Sequence, residues 1–254
     1  MKFQTTCIAL MKHHCLVWIF SFLALALATI ATPSLAIDEQ TPNGTIKLRY
    51  KVNIYGSNLG EIHTTIKKNQ DKFEVSSVTR AEGVASLVLG GDLTQQCSFS
   101  AKDKQIVSED SSIEKLGRSA FKNTVKIDWQ SRFINYNDDP TLAIPNGYLV
   151  DSCNFQFAAA YTNHDLLKKN TIYVLDGKKS RLKAYVFKSS TQEKLKTPIG
   201  EFNTSKIVLE RELNPDKSII FWIAEEYPYF PLKMIEKRKS KKRIMTLKSY
   251  TKNS

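Results

Sequence analysis

Histidine, on which most hydrolytic and metal sites depend, is scarce. Of four in 254 residues, His13 and His14 precede the first long apolar segment, which leaves His63 and His164. His63 falls on the polar parity of a strand, beside Glu61 and Thr65. His164 stands next to Asp165 in Tyr161-Thr-Asn-His-Asp-Leu166. Neither has metal-ligand spacing around it, which argues against a zinc centre. Glycine-rich phosphate loops and a serine elbow are also missing. Cysteine is equally sparse: Cys7 and Cys15 lie at the N-terminus, and Cys97 and Cys153 have no adjacent His, no partner at redox spacing and no basic neighbour to lower a thiol pKa. The acid pairs Asp138-Asp139 and Glu225-Glu226 sit in turn-like or Pro-braced segments, where carboxylates are solvated. The sequence therefore reads as non-enzymatic, with no catalytic residue, metal or cofactor.

Acidic residues are absent before Asp38, while Lys2 and Lys12 are positive. An apolar run from Leu16 to Ala31 falls short of the roughly 20 residues a spanning helix prefers. Pro33 then breaks it, and Ser34-Leu35-Ala36 offers small residues to a signal peptidase. Residues 1–36 are expected to be a cleaved leader, placing residues 37–254 in the periplasm as a single β-rich domain; the alternative is an uncleaved anchor. A lipoprotein is disfavoured, since both early cysteines lie before or at the start of the apolar run. No second apolar run of that length follows.

The formal charge of +12 is concentrated. From Lys233 onward Glu236 is the only acid, so the basic character belongs to a C-terminal hairpin (231–250) and not to a nucleic-acid-binding face. Its core is Lys237, Arg238, Lys239, Lys241, Lys242 and Arg243. That run has no aromatics on which bases could stack. Two readings stay open: a solvated tip that discourages edge-to-edge association, or a contact with anionic phospholipid or lipopolysaccharide headgroups.

Period-two alternation dominates the rest. Ile46, Leu48, Tyr50, Val52 and Ile54 alternate with Lys47, Arg49, Lys51 and Asn53, which predicts a strand with one dry and one wet face. The pattern resumes at Ile62, Thr64 and Ile66, then at Phe73, Val75 and Ser77. Further strands are expected over 93–99, 105–116, 119–129, 132–137, 171–175, 181–188, 201–212, 218–224, 231–237 and 243–250. Turn residues at Gly90-Gly91, Asp138-Asp139-Pro140, Asp176-Gly177 and Asn214-Pro215-Asp216 separate them. So many short strands predict a mainly β protein: an antiparallel meander forming a curled sheet or barrel-like fold. One helix over 151–169, capped by Asp151 or Ser152, is expected to pack as a lid or plug.

Cys97 shares parity with Leu93 and Phe99, and Cys153 lies on the apolar stripe of that helix, so both point toward the core. Outside the cytoplasm, thiols that meet are oxidised. A bridge would close a loop of about 57 residues, worth ~4 kcal/mol by chain entropy. The alternative is a pair of inert thiols too far apart to bond.

The order Tyr50-Lys-Val-Asn-Ile-Tyr-Gly56, Leu59-Gly-Glu61, Ala81-Glu-Gly-Val-Ala-Ser-Leu87, Asp176-Gly-Lys178, Thr197-Pro-Ile-Gly-Glu-Phe202 and Phe221-Trp-Ile-Ala224, leading to Pro231, resembles the exported bacterial family catalogued as domain of unknown function 3108. The resemblance spans about residues 45 to 250. It implies export and a β-rich fold, and it brings no assigned activity and no catalytic residues. The heavily basic last hairpin and the short tail depart from the family pattern.

Two kinds of function fit. One is a binding module that holds a lipid or other hydrophobic envelope molecule inside the sheet. The other is a structural or assembly factor with a filled core that docks an envelope protein, the rigid aromatic segment Tyr227-Pro-Tyr229-Phe230-Pro231 being the expected contact.

Overall fold

In the computed structural model the described residues are 43–83, 86, 91–117, 119–162 and 164–253. The expected leader and its expected cleavage site after Ala36 lie outside them. Residues from Gln40 onward cluster as one compact unit. The alternation seen in the sequence becomes the first strand, β1 (Gly44–Ile54), whose Ile46, Leu48, Tyr50 and Val52 are buried while Lys47, Arg49 and Lys51 face out.

The chain then meanders through β2 (Ser57–Asn69), β3 (Lys72–Ala81), β4 (Leu93–Lys102), β5 (Gln105–Lys115), β6 (Phe121–Asp128), β7 (Phe133–Tyr136) and β8 (Asp139–Ala143). After β9 (Tyr148–Asp151) come two short helices, α1 (Phe155–Tyr161) and α2 (His164–Lys169). The second half is β10 (Ile172–Asp176), β11 (Arg181–Thr197), β12 (Gly200–Arg211), β13 (Asn214–Ala224), β14 (Lys233–Arg238) and β15 (Lys241–Asn253).

Among the described residues these strands form one 15-stranded sheet, running from β8 down to β1, across to β15, and on to β9. The first and last strands pair at its centre, and β8 and β9, consecutive in the chain, are its two edges. Neighbours are antiparallel except β9 and β10. Extra residues at Leu59, Glu109, Lys188 and Lys248 shift the register. Such bulges bend a strand and increase its twist. Gly60 sits at one of these bends with φ +136°, and a Cβ there would fall 1.9 Å from the Arg80 carbonyl oxygen, so no side chain fits.

The sheet curls without closing. Instead it overlaps itself, and β9 is buried along its whole length. Tyr148 and Val150 face the main core, whereas Leu149 faces a second cluster with Leu175, Val125, Ile127, Ile134 and Ile144. The edge carrying β9 and β10 is thus tucked beneath β5–β8. Where β6 ends, the backbone of β5 lacks a neighbour, and side chains supply one. Ile106 N–H donates to the Tyr148 hydroxyl (3.2 Å), which donates back to Ile106 C=O (3.1 Å). Trp129 Nε1 donates to Ser108 C=O (2.9 Å). Buried backbone groups left open would each cost about 1–3 kcal/mol.

The inside of the roll is occupied by its own side chains. Tyr50, Phe99, Phe157 and Phe221 are fully buried. Phe99 stacks on Phe73 (5.1 Å between centroids) and on Phe157 (5.7 Å), and Phe155 meets Phe221 edge-on (5.4 Å). Helix α1 contributes Phe155, Phe157, Ala158 and Ala159 to this core. Seven residues without a side-chain cap make no stable helix alone, so packing holds it.

Two expectations are corrected here. The single helix over 151–169 is a strand end followed by two helices, because Asp151 completes β9 and Thr162 is extended (φ −70°, ψ 140°), breaking the run. The turn expected at Asp138-Asp139-Pro140 falls one residue earlier, and Asp139 and Pro140 begin β8. Pro140 is tolerated on an edge strand, where its missing N–H is not needed.

Candidate functional site

Because the inward positions are filled, the room lies on the other face. Alternate residues of β2–β6 point outward, and antiparallel register lines them up. Thr65 pairs with Ser76, Ser76 with Gln96, Gln96 with Ser112 and Ser112 with Thr124. This row of hydroxyls and amides crosses five strands, while Ile66, Val75, Cys97 and Val125 point the opposite way into the cores. Flanking it, Lys67 pairs with Glu74 and Asp110 with Lys126, so the charges cancel locally.

The two rows line a cleft of about 640 Å³. A second cleft of about 400 Å³ continues past Thr65 to Lys47, Arg49, His63, Ser249 and Thr251. Together they make a polar track across seven neighbouring strands, β15 to β6. At about 4.8 Å per strand this is a track of roughly 29 Å.

At the edge of the second cleft Glu61 gathers three partners. Lys248 Nζ lies 2.6 Å from one carboxylate oxygen, and His63 Nε2 (3.0 Å) and Arg49 Nε (3.5 Å) approach the other. The Lys248 bond chiefly holds this carboxyl below its usual range; partial burial opposes and the His63 bond assists. His63 is therefore half-buried against an ionised acid, where the sequence suggested a solvated strand residue. His164 is half-buried at the start of α2, and burial, followed by the nearby Lys168, lowers its pKa. Asp138, Asp139, Glu225 and Glu226 are exposed.

The structure joins Cys97 to Cys153 in a disulfide, with Cα atoms 6.2 Å apart. Cys153 lies just beyond β9, so the bond fastens the tucked edge to β4. Close by, Asp151 is the buried acid that sequence reading mistook for a helix cap. Its carboxylate accepts Cys153 N–H (2.6 Å), and its other oxygen is buried with no hydrogen-bond partner. Burial, with a smaller push from the charge of Asp176, raises Asp151 to about 6. No local pattern announces this residue, because its four-residue strand is buried on both faces and shows no alternation.

The aromatic segment expected to meet a partner is turned inward, which corrects that reading. Tyr229 packs on Phe73 (5.5 Å) and Tyr161 (5.7 Å), and Phe230 is 1% exposed between Tyr227 and Tyr250. The Tyr50 hydroxyl donates to Pro231 C=O (2.9 Å), and Leu232 N–H donates to Trp222 C=O (2.8 Å), pinning the segment to the core. The basic run behaves differently. Arg238, Lys239, Lys241, Lys242 and Arg243 are exposed and Lys237 is half-buried around the β14–β15 turn. Arg238 and Arg243 both pair with Glu236 (2.6 and 3.7 Å).

A comparison with curated protein sequences finds no match. Among solved structures, a β-barrel-like protein of domain of unknown function DUF1849 from Brucella abortus is similar, with a TM-score of 0.49 and 9% identity, covering 83% of this chain and 98% of that one. The turn-and-strand order noted in the sequence has a direct counterpart: the model of one family matches residues 49–247, from within β1 to within β15. The chain belongs to the family described as Protein of unknown function (DUF3108).

Proposed function

We propose that this protein is an exported, non-catalytic docking factor of the cell envelope, with a filled core and a binding face on the outside of its rolled sheet. The observation that carries the proposal is where the room lies. The inward residues pack against each other and against α1, while the first cleft sits on the outward row Thr65, Ser76, Gln96, Ser112 and Thr124 and the second continues from Thr65. A carrier of hydrophobic cargo needs a mostly apolar interior volume; here the apolar interior is spent on aromatic packing.

Export is supported by the leader-like N-terminus and by the disulfide, a bond that persists in oxidising compartments. The docking face mixes hydroxyl, amide and charged side chains of both signs with apolar surface between them, the blend found on protein interfaces, so it suits the surface of an envelope protein better than a purely apolar ligand. A photocrosslinking residue placed at Gln96 in living cells is expected to give one discrete adduct of higher mass. The same residue at Lys188, on a distant strand, is expected to give none. Absence of an adduct from Gln96, Ser76 and Ser112 alike contradicts the proposal.

A further inference from the structure

A second surface, separate from the clefts, carries an independent inference. Strands β2, β1, β15, β14, β13 and β12 are consecutive in the sheet. The turns joining β1 to β2, β14 to β15 and β12 to β13 all open at one end of it, because Ile54 pairs with Arg243 and Lys217 pairs with Arg238. Neighbouring tips are two strands apart, or about 10 Å. They are also tied together: Tyr55 N–H donates to Lys242 C=O (3.4 Å), Lys241 Nζ lies 5.4 Å from the centre of the Tyr55 ring, and Lys239 N–H donates to Asp216 C=O (2.9 Å).

One residue at these tips is not what its turn requires. Tyr55 and Gly56 both have positive φ (54° and 83°), a turn in which Asn or Asp normally precedes the glycine. A bulky aromatic there is strained, yet Tyr55 is 63% exposed and gains little burial in return. Leu213, in the next tip but one, is 94% exposed. Single exposed apolar residues are ordinary. Two that flank an exposed basic hairpin on one rim make a pattern with its own chemistry.

We infer that this rim is a docking edge for the surface of an anionic phospholipid bilayer. The Leu213 side chain would enter the acyl boundary, and Tyr55 would sit at headgroup level, where its apolar ring and polar hydroxyl both find partners. Lys239, Lys241 and Lys242 would meet lipid phosphates. Of the nearby acids, Glu236 is already paired with Arg238 and Arg243, and Glu212 and Asp216 are outnumbered by the cations of the hairpin. A solvated tip explains the lysines but not the Tyr and Leu beside them.

The test is sedimentation of the purified, disulfide-bonded protein with vesicles of phosphatidylglycerol and phosphatidylethanolamine, and with vesicles of phosphatidylcholine. Binding to the anionic vesicles at low salt is expected, falling as the Debye length shrinks from about 10 Å at 0.1 M to about 3 Å at 1 M. The triple substitution Lys239→Gln, Lys241→Gln, Lys242→Gln is expected to weaken it about a hundredfold. Leu213→Ser is expected to weaken it about tenfold. Tyr55→Asn is expected to weaken binding while leaving the melting temperature unchanged or higher, since Asn suits the positive φ; this separates lipid contact from folding. Equal binding to both vesicle types, no binding to either, or binding unaffected by all three variants overturns the inference.

Discussion

Cys97 on β4 and Cys153 just past β9 are bonded across the overlap of the rolled sheet. Among the described residues nothing else covalent holds the parallel edge strand beneath its neighbours, so the bond stands where a hydrogen-bonded barrel would have closed.

Reduction is therefore expected to loosen that overlap. A loop spanning 56 positions is worth ~4 kcal/mol by chain entropy. The double variant Cys97→Ser, Cys153→Ser should lose about that much in urea titration, and reductant should lower the urea midpoint of the wild type while leaving the variant unchanged.

The interior aromatics make a sharper demand. Phe157 on α1 is buried and stacked on Phe99. Phe157→Ala is expected to cost about 4 kcal/mol, the range for truncating a packed aromatic. A roll built around cargo would tolerate the change, so a loss below about 1 kcal/mol counts against a filled core.

Tyr148 tests the seam. Its hydroxyl serves Ile106 N–H, Ile106 C=O and Thr162 Oγ1 (2.9 Å). Tyr148→Phe keeps the ring and leaves those groups open, and is expected to cost about 3 kcal/mol. Amide exchange should quicken first at Ile106 and along β9, ahead of β1.

Asp151 predicts a pH dependence of unusual sign. Burial raises its folded pKa to about 6, above the unfolded value of about 3.9. Between those values the folded state binds the proton more tightly, so stability from this group is present below about pH 4 and is lost as pH rises through 6. The loss is about 3 kcal/mol by that linkage. Asp151→Asn should flatten the window from pH 4 to 6 and be the more stable protein at pH 8. An unchanged slope in that window contradicts the assignment.

How much of this was legible in the residues depends on whether a position is decided locally. The strand from Ile46 to Ile54 was readable because one face is wet, and period two follows from that alone. Strand β9 was not, since Tyr148-Leu149-Val150-Asp151 is buried on both faces by the overlap and shows no alternation, and its last residue, Asp151, reads as a helix cap. The segment Tyr227 to Phe230 looked like a surface contact because it is Pro-braced and aromatic; its burial comes from Tyr161, Phe73 and Tyr250, remote in sequence. The outward row from Thr65 to Thr124 was invisible for a related reason. Each member is an ordinary polar strand residue, and only the register across five strands makes a row of them.

The central claim is that the roll is filled by its own side chains and works from its outer face. Native mass spectrometry of the protein purified from its own cells without detergent and washed in 1 M salt tests this most directly. A single species at the mass of the disulfide-bonded polypeptide is expected, whereas a stoichiometric lipid adduct that survives the wash contradicts it.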